Sequence, residues 1–179
     1  MYCIASFFQR SIREVIDDGD IPGLLSNLEE EDPGDIDQPR NDLGGKTILY
    51  EATRLGKADL VRLLLERGAD PSVIVKKTGK SPFLLASKDG NPEVFMPILS
   101  SVDGNSFTAV NCQDTKQKKS PLHLMTETLL REPEKEQQMK HCLKAFFDTC
   151  SQTIEPNLQD INGDSPIVFA IITGSAWLA

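Results

Sequence analysis

Thr47-Ile48-Leu49-Tyr50-Glu51-Ala52 is the stretch whose reading decides the fold, because the chain spells nearly the same phrase three more times. The later versions are Ser81-Pro82-Phe83-Leu84-Leu85-Ala86, Ser120-Pro121-Leu122-His123-Leu124-Met125 and Ser165-Pro166-Ile167-Val168-Phe169-Ala170. Their starts lie 34, 39 and 45 residues apart. Self-similarity at a period of about 33 residues is the signature of a stacked helical array, in which each unit buries its apolar face against its neighbours. Such an array directs the search for function toward a binding surface and away from a catalytic constellation.

Working outward, Thr47 is placed as an N-cap, since its hydroxyl can accept from backbone N–H groups two or three residues on. Ile48, Leu49 and Ala52 then face inward from a short helix that Gly56 stops. Leu60, Val61, Leu63, Leu64 and Leu65 make a second helix ended by Gly68-Ala69-Asp70, and an extended finger through Pro71 to Lys80 leads to the next unit. That unit has Ser81 as cap, Pro82 at the first helical position, Gly90 as stop, and Val94, Phe95, Ile98 and Leu99 on its outer helix. Pro92 and Pro97 are expected to shorten or bend that helix. The third unit has Leu129 where the stopping glycine would stand, then an insertion around Glu132-Pro133-Glu134. A long helix follows, with Met139, Leu143, Phe146 and Phe147 inward. The fourth has Asn162-Gly163-Asp164 as its turn. Its helix from Ser165 to Thr173 carries Ile167, Val168, Phe169, Ile171 and Ile172 with no partner helix after them. The expectation is that further protein follows or that this apolar patch drives association.

Upstream, Ile4, Phe7, Phe8, Ile12, Val15 and Ile16 recur at helical spacing. Gly19 and Asp20 break that helix, and Leu24, Leu25 and Leu28 begin another. The organisation expected is an N-terminal helical cap with an acidic loop over residues 1–38, then repeats over 39–179, divided at about 41–73, 74–111, 112–156 and a partial 157–179. The fold class is all-α, a solenoid of helix-turn-helix units with short hairpin-like fingers.

Composition sets bounds. The 179 residues are 39% hydrophobic and 26% charged, ordinary for a folded chain. No apolar run approaches the roughly 18–20 residues of a membrane span. The start, Met1 to Phe8, is apolar but lacks a basic leader region, so a secretory signal is not expected. Cys3, Cys112, Cys142 and Cys150 have no paired spacing, which predicts a reducing, cytoplasmic setting. The net charge of −8 is concentrated: ten acids and the single base Arg40 lie between Asp17 and Asp42. A nucleic-acid partner is not expected behind such a patch.

At these phrases the chain resembles the ankyrin repeat family. The family pattern is Thr-Pro-Leu-His-x-Ala, a glycine nine residues after the threonine, a Val-x-x-Leu-Leu helix and Gly-Ala-Asp. Thr47, Leu49, Ala52, Gly56, Val61, Leu64, Leu65, Gly68, Ala69 and Asp70 fall in place, whereas Ile48 and Tyr50 replace proline and histidine. The resemblance covers roughly residues 41 to 179. It implies a protein-interaction module without chemistry of its own, without cofactor or metal, whose partner is another protein. A narrower likeness is to the amino-terminal ankyrin region of insect TRPA-type cation channels of the Painless type. It rests on the irregular spacing, the charged insert after Pro121-Leu122-His123, and Asn157-Leu158-Gln159-Asp160 before Ser165-Pro166. It implies, as the alternative reading, the cytosolic end of a channel in ion transport or sensory signalling, with no membrane contact by these residues themselves.

Chemistry-bearing residues read modestly. The resemblance gives His123 a structural role at the helix start. His141 and Cys142 are adjacent and point apart along a helix, so zinc is not expected. Lys140 and Lys144 beside Cys142 raise the option of a reactive thiolate. Gly44-Gly45-Lys46-Thr47 lacks the first glycine and the preceding strand of a phosphate loop. The lysines carry more: Lys76, Lys77 and Lys80 sit in one finger and Lys116, Lys118 and Lys119 in the next, so stacked units place six ammonium groups on one edge. With the short-helix residues Glu51, Arg54 and Lys88, taken as exposed, they make the expected contact face. Solvated loop tips are the plain reading; an acidic partner segment, or the chain's own Glu29–Asp37 loop, is the functional one.

Overall fold

The computed structural model describes residues 10–29, 36–104 and 106–166. The expectations for Ile4, Phe7 and Phe8, for the acidic loop over 30–35, and for the helix beyond Pro166 lie outside the described residues.

Nine α-helices form among the described residues, and their ends follow the side chains. Helix α1, Ile12–Asp18, begins at Ser11, which caps the Glu14 amide while the Glu14 carboxylate accepts from the Ser11 amide. This reciprocal capping box satisfies two donors that the helix itself cannot. The helix ends at Gly19, whose φ of 73° is left-handed. Helix α2 is Ile21–Glu29. The first clear pair follows, α3 at Ile48–Arg54 and α4 at Ala58–Glu66, with the Thr47 hydroxyl accepting from the Tyr50 amide at 3.1 Å. The second pair is α5, Pro82–Asp89, and α6, Pro92–Ser101, capped by Ser81 and Asn91. Pro92 starts α6 at a position where no amide is needed, and Pro97 sits inside a helix that continues to Ser101. The expected shortening does not occur.

The unequal repeat spacing has a visible cause. After α6 a four-residue helix, α7 at Phe107–Val110, occupies extra chain. Without a stopping glycine, α8 runs eleven residues from Pro121 to Arg131. A 3-10 turn at Pro133–Lys135 then leads into the fifteen-residue α9, Glu136–Cys150.

Packing is lateral. Helix α3 packs on α5 and α5 on α8, forming an inner row, while α4 packs on α6 and α6 on α9 as an outer row. Within each unit the two rows meet, α3 on α4, α5 on α6 and α8 on α9. Helix α1 packs on α2 and against α3, continuing the stack at its N-terminal end. Leu49, Leu64, Val61, Phe83, Phe95, Ile98, Leu143 and Phe146 are all buried. Phe83 bridges three helices, with its ring 6.2 Å from Phe95 and 6.2 Å from Phe146. On α9 the inward line runs through Met139, Cys142, Leu143, Phe146 and Cys150. Phe147, expected inward, stands at the edge of that line and is 37% exposed.

The fingers close as tight turns and not as strands. The described residues hold only isolated bridges, Arg40 to Lys46 and Val75 to Lys80. Lys119 and Asp164 close the third and fourth turns in the same way, each carbonyl accepting from the amide of Asp114 and Asp160.

Candidate interaction surface

Each of the first three fingers ends on the residue that precedes a helix cap, Lys46, Lys80 and Lys119 before Thr47, Ser81 and Ser120, and the fourth turn places Asp164 in the equivalent position before Ser165. One residue earlier the backbone is left-handed each time: Gly45 at φ 80°, Gly79 at 76°, Lys118 at 54° and Gly163 at 86°. Lys118 thus does a glycine's conformational task with a side chain in place, the one non-glycine residue at positive φ among those described.

Adjacent fingers touch. The Thr115 amide donates to the Gly79 carbonyl at 2.9 Å, and Lys116 Nζ donates to the Lys77 carbonyl at 2.9 Å. The expected juxtaposition of the two lysine fingers is therefore present, but not as six solvated ammonium groups. Lys76, Lys77, Lys116 and Lys118 are exposed, Lys80 is half-buried, and Lys119 is buried. Lys119 Nζ donates to Glu127 Oε2 at 2.7 Å, and Arg131 also pairs with Glu127 at 2.6 Å.

Glu51 corrects the expectation in the same direction. It is 1% exposed, not part of an open face. Lys46 Nζ reaches its Oε2 at 2.9 Å, and Arg54 grips both oxygens at 3.0 and 2.8 Å. Burial alone would raise the Glu51 carboxyl, but the hydrogen bonds from Arg54 and Lys46 outweigh it and hold the pKa below the ordinary value. Arg54 is exposed yet spent on this pair, and Lys88 is exposed. Sequence reasoning missed this pairing because the partner of each finger lysine stands five or eight positions later, inside a helix.

Between the second and third fingers and the helices α5 and α8 lies a hollow of about 260 Å³. Lys80 and Lys88 line it with Leu124, Glu127, Arg131 and Glu132. A second hollow of about 360 Å³ opens at the helix-turn-helix ends, where Thr53, Asp89, Asn91 and Lys135 meet.

His123 has the structural role expected. Its Nδ1 accepts from the Ser120 amide at 3.2 Å, and Nε2 lies 3.0 Å from the Asp164 carbonyl. These contacts fix the neutral Nε2–H tautomer, because one nitrogen must accept and the other must donate. Burial lowers its pKa from the ordinary value. The thiolate option at Cys142 is overturned: the side chain is buried, the thiol donates to the Gly90 carbonyl at 3.5 Å, and burial pushes its pKa up to about 12. Lys144 is drawn to Asp148 and Lys140 to Glu136. His141 is exposed while Cys142 is buried, so the two do not converge. No helix among the described residues is long and apolar enough to cross a membrane.

Comparison with known proteins places the best-formed unit. The Ankyrin repeat family model matches residues 44–76. A 48-residue stretch is 48% identical to human 2-5A-dependent ribonuclease, covering 27% of this chain and 6% of that protein. The similarity therefore spans a small fraction of the relative's length, and its ribonuclease activity belongs to that protein. The comparisons support the repeat family and give the narrower channel likeness no support. With the lateral two-row packing, the fold is an all-α ankyrin-repeat solenoid.

Proposed function

We propose that this chain is a non-catalytic protein-interaction module that works in the cytoplasm, binding another protein along its fingers and the exposed residues of its inner helices. Ankyrin repeats are interaction modules, and the observation that carries the reading here is the separation of labour between two surfaces. The apolar stripes are consumed in stacking α3, α5 and α8 against α4, α6 and α9. The fingers project charged side chains that stacking does not use: Lys76, Lys77 and Lys118 are exposed and make no ion pair with another of the described residues. A rigid array with a polar, uncommitted edge suits recognition, since binding then orders few side chains.

The contact residues in this reading are Lys76, Lys77, Lys80, Lys88, Lys116 and Lys118. Glu51 and Lys119 act from below by holding the inner helices and finger ends in place, with Arg54 at the margin. The repeat boundaries are taken at about 41–73, 74–111 and 112–156, with a partial unit from 157 onward and the cap before residue 39.

The test is photo-crosslinking from the 179-residue chain in cells of its native source. A crosslinker at Lys77 or Lys118 is expected to capture the same protein, and one at the exposed outer-helix residues Glu66 or Gln137 is expected not to. Equal capture from both sides, or none above an unrelated folded control, would overturn the reading. The channel alternative, in which the same stack forms the cytosolic end of a cation channel, rests on sequence likeness alone. It requires that the gene continue past Ala179 into further repeats and six apolar segments.

A further inference from the structure

The second unit lacks an ion pair that the first and third units both possess. In the first, the lysine closing the finger, Lys46, gives its ammonium to Glu51, five residues on. In the third, the equivalent Lys119 gives its ammonium to Glu127, eight residues on. In the second, the equivalent Lys80 meets Leu85 at the first of these offsets and Lys88 at the second. An anion has been replaced by an apolar residue and by a cation.

The consequence is local and electrostatic. Lys80 is half-buried, and no carboxylate among the described residues stands within ion-pair distance of its ammonium. Burial lowers its pKa and Lys88 adds repulsion. Asp114 and Glu127 act in the opposite sense but are already engaged. Asp114 accepts from the amides of Lys116, Gln117 and Lys119, and Glu127 is held by Lys119 and Arg131. Glu132, the other carboxylate lining the hollow, is paired with Lys135. Lys80 and Lys88 are left over, facing a space of about 260 Å³ with the buried Leu124 on its wall.

We propose that this hollow receives a glutamate or aspartate side chain from an acidic segment of a partner protein, its carboxylate bound by Lys80 and Lys88 in the place that Glu127 takes beside Lys119. The inference rests on the interaction-module reading and names the chemistry of its partner. A carboxylate suits the space better than a phosphate. Glu127 and Glu132 remain in the wall, and a group of nearly two negative charges would face them at close range. A single negative charge completes the pairing that the neighbouring units already contain, and partly desolvated charge-assisted bonds of this kind are the strong ones.

The probe is a fluorescein-labelled octaglutamate peptide titrated with the full chain, read by anisotropy at low and physiological salt. Lys80→Met keeps the side chain's length and removes its charge; Lys88→Glu rebuilds in the second unit the arrangement of the third. Each is expected to weaken binding about tenfold, the loss of one charge-assisted contact. Double substitution of the exposed Arg67 and Lys144, beside α4 and on α9 and outside the contact set, by Met should cost less than about twofold at physiological salt, since exposed charges beyond a Debye length are screened. Lys88 is exposed, so Lys88→Glu keeps the test valid should Lys80→Met fold poorly on its circular dichroism.

Equal loss from the Arg67 and Lys144 double variant and from Lys80→Met would show a general field and overturn the proposal. So would undiminished binding by Lys88→Glu. A single-stranded oligothymidylate probe bound as well, with the same dependence on Lys80, would assign the hollow to phosphate instead. Octaglutamate binding that emerges only after the Glu29–Asp37 acids are neutralised would give the hollow to the chain's own loop. Failure of octaglutamate to bind overturns the carboxylate site alone, because crosslinking from Lys77 and Lys118 reads the interaction module independently.

Discussion

His123 Nε2 donates to the backbone carbonyl of Asp164 across 3.0 Å, tying the inner helix of the third unit to the finger of the fourth. The same ring accepts from the Ser120 amide through Nδ1, so one neutral imidazole closes its own helix start and the next turn together.

This geometry sets a pH dependence. Burial lowers the His123 pKa below its ordinary value of 6.5, whereas the unfolded chain titrates near that value. Between the two values the unfolded state binds more protons, so stability rises with pH through this window. The contribution is complete above 6.5 and is lost as pH falls toward the lowered value. Urea midpoints measured from about pH 7.5 down to about pH 5 should therefore fall more steeply for the wild type than for His123→Gln. His141 is exposed and common to both proteins, so it cancels in the difference. Parallel curves would remove His123 from the account.

Lys118 offers a stabilising change. Its φ of 54° is left-handed, where the other three fingers place glycine. The left-handed conformation costs a residue with a Cβ about 1–2 kcal/mol, part of which glycine's greater freedom in the unfolded chain offsets. Lys118→Gly should stabilise by about 0.5 kcal/mol and raise the melting temperature by about 1–2 °C. A lower melting temperature would mean that the Lys118 side chain supplies stability not visible in its contacts.

The repeat frame was legible because its determinants are local. A capping hydroxyl, an apolar run and a stopping glycine act within a few residues, and Thr47, Ser81 and Ser120 all cap as their spacing implies. The contact face was only half legible. Glu51 looks like a surface acid in the string, yet Lys46 and Arg54 turn it inward, and Lys119 follows Glu127 in the same way. Whether a finger lysine points out or in depends on what stands five or eight residues later, a relation that helix periodicity alone does not reveal. Phe147 was misplaced for a related reason: Cys142 and Cys150 fill the inward line that a larger ring was expected to occupy.

Cys142 should be inert while the chain is folded. Its thiol is buried, donates to Gly90, and has a pKa pushed up to about 12, so the reactive thiolate is scarce at neutral pH. In a Cys3→Ser, Cys112→Ser background, its alkylation should run far slower than that of glutathione and accelerate on adding urea. Cys150 is also buried, and mass mapping of the modified peptide distinguishes the two sites. Modification of folded Cys142 at the rate of a free small thiol would contradict the burial that places it against α5's stopping glycine.

Glu51 is the anionic centre of the first unit, and removing it should be felt by the whole stack. Its carboxylate is buried against Lys46 and Arg54, with Arg13 from α1 at 3.9 Å. Glu51→Ala leaves the Lys46 ammonium without its anion, although Arg54, with a side chain 43% exposed, regains water. Breaking a fully buried pair costs about 3–5 kcal/mol; with partners this wet, about 1–3 kcal/mol is expected. Because the folded pKa is depressed, the stabilisation is complete above the unfolded value of 4.5 and is lost as pH falls below it. A urea titration of Glu51→Ala should therefore converge with the wild type in acid and separate above about pH 5. A constant gap across that range would mean that Glu51 contributes packing volume and not charge.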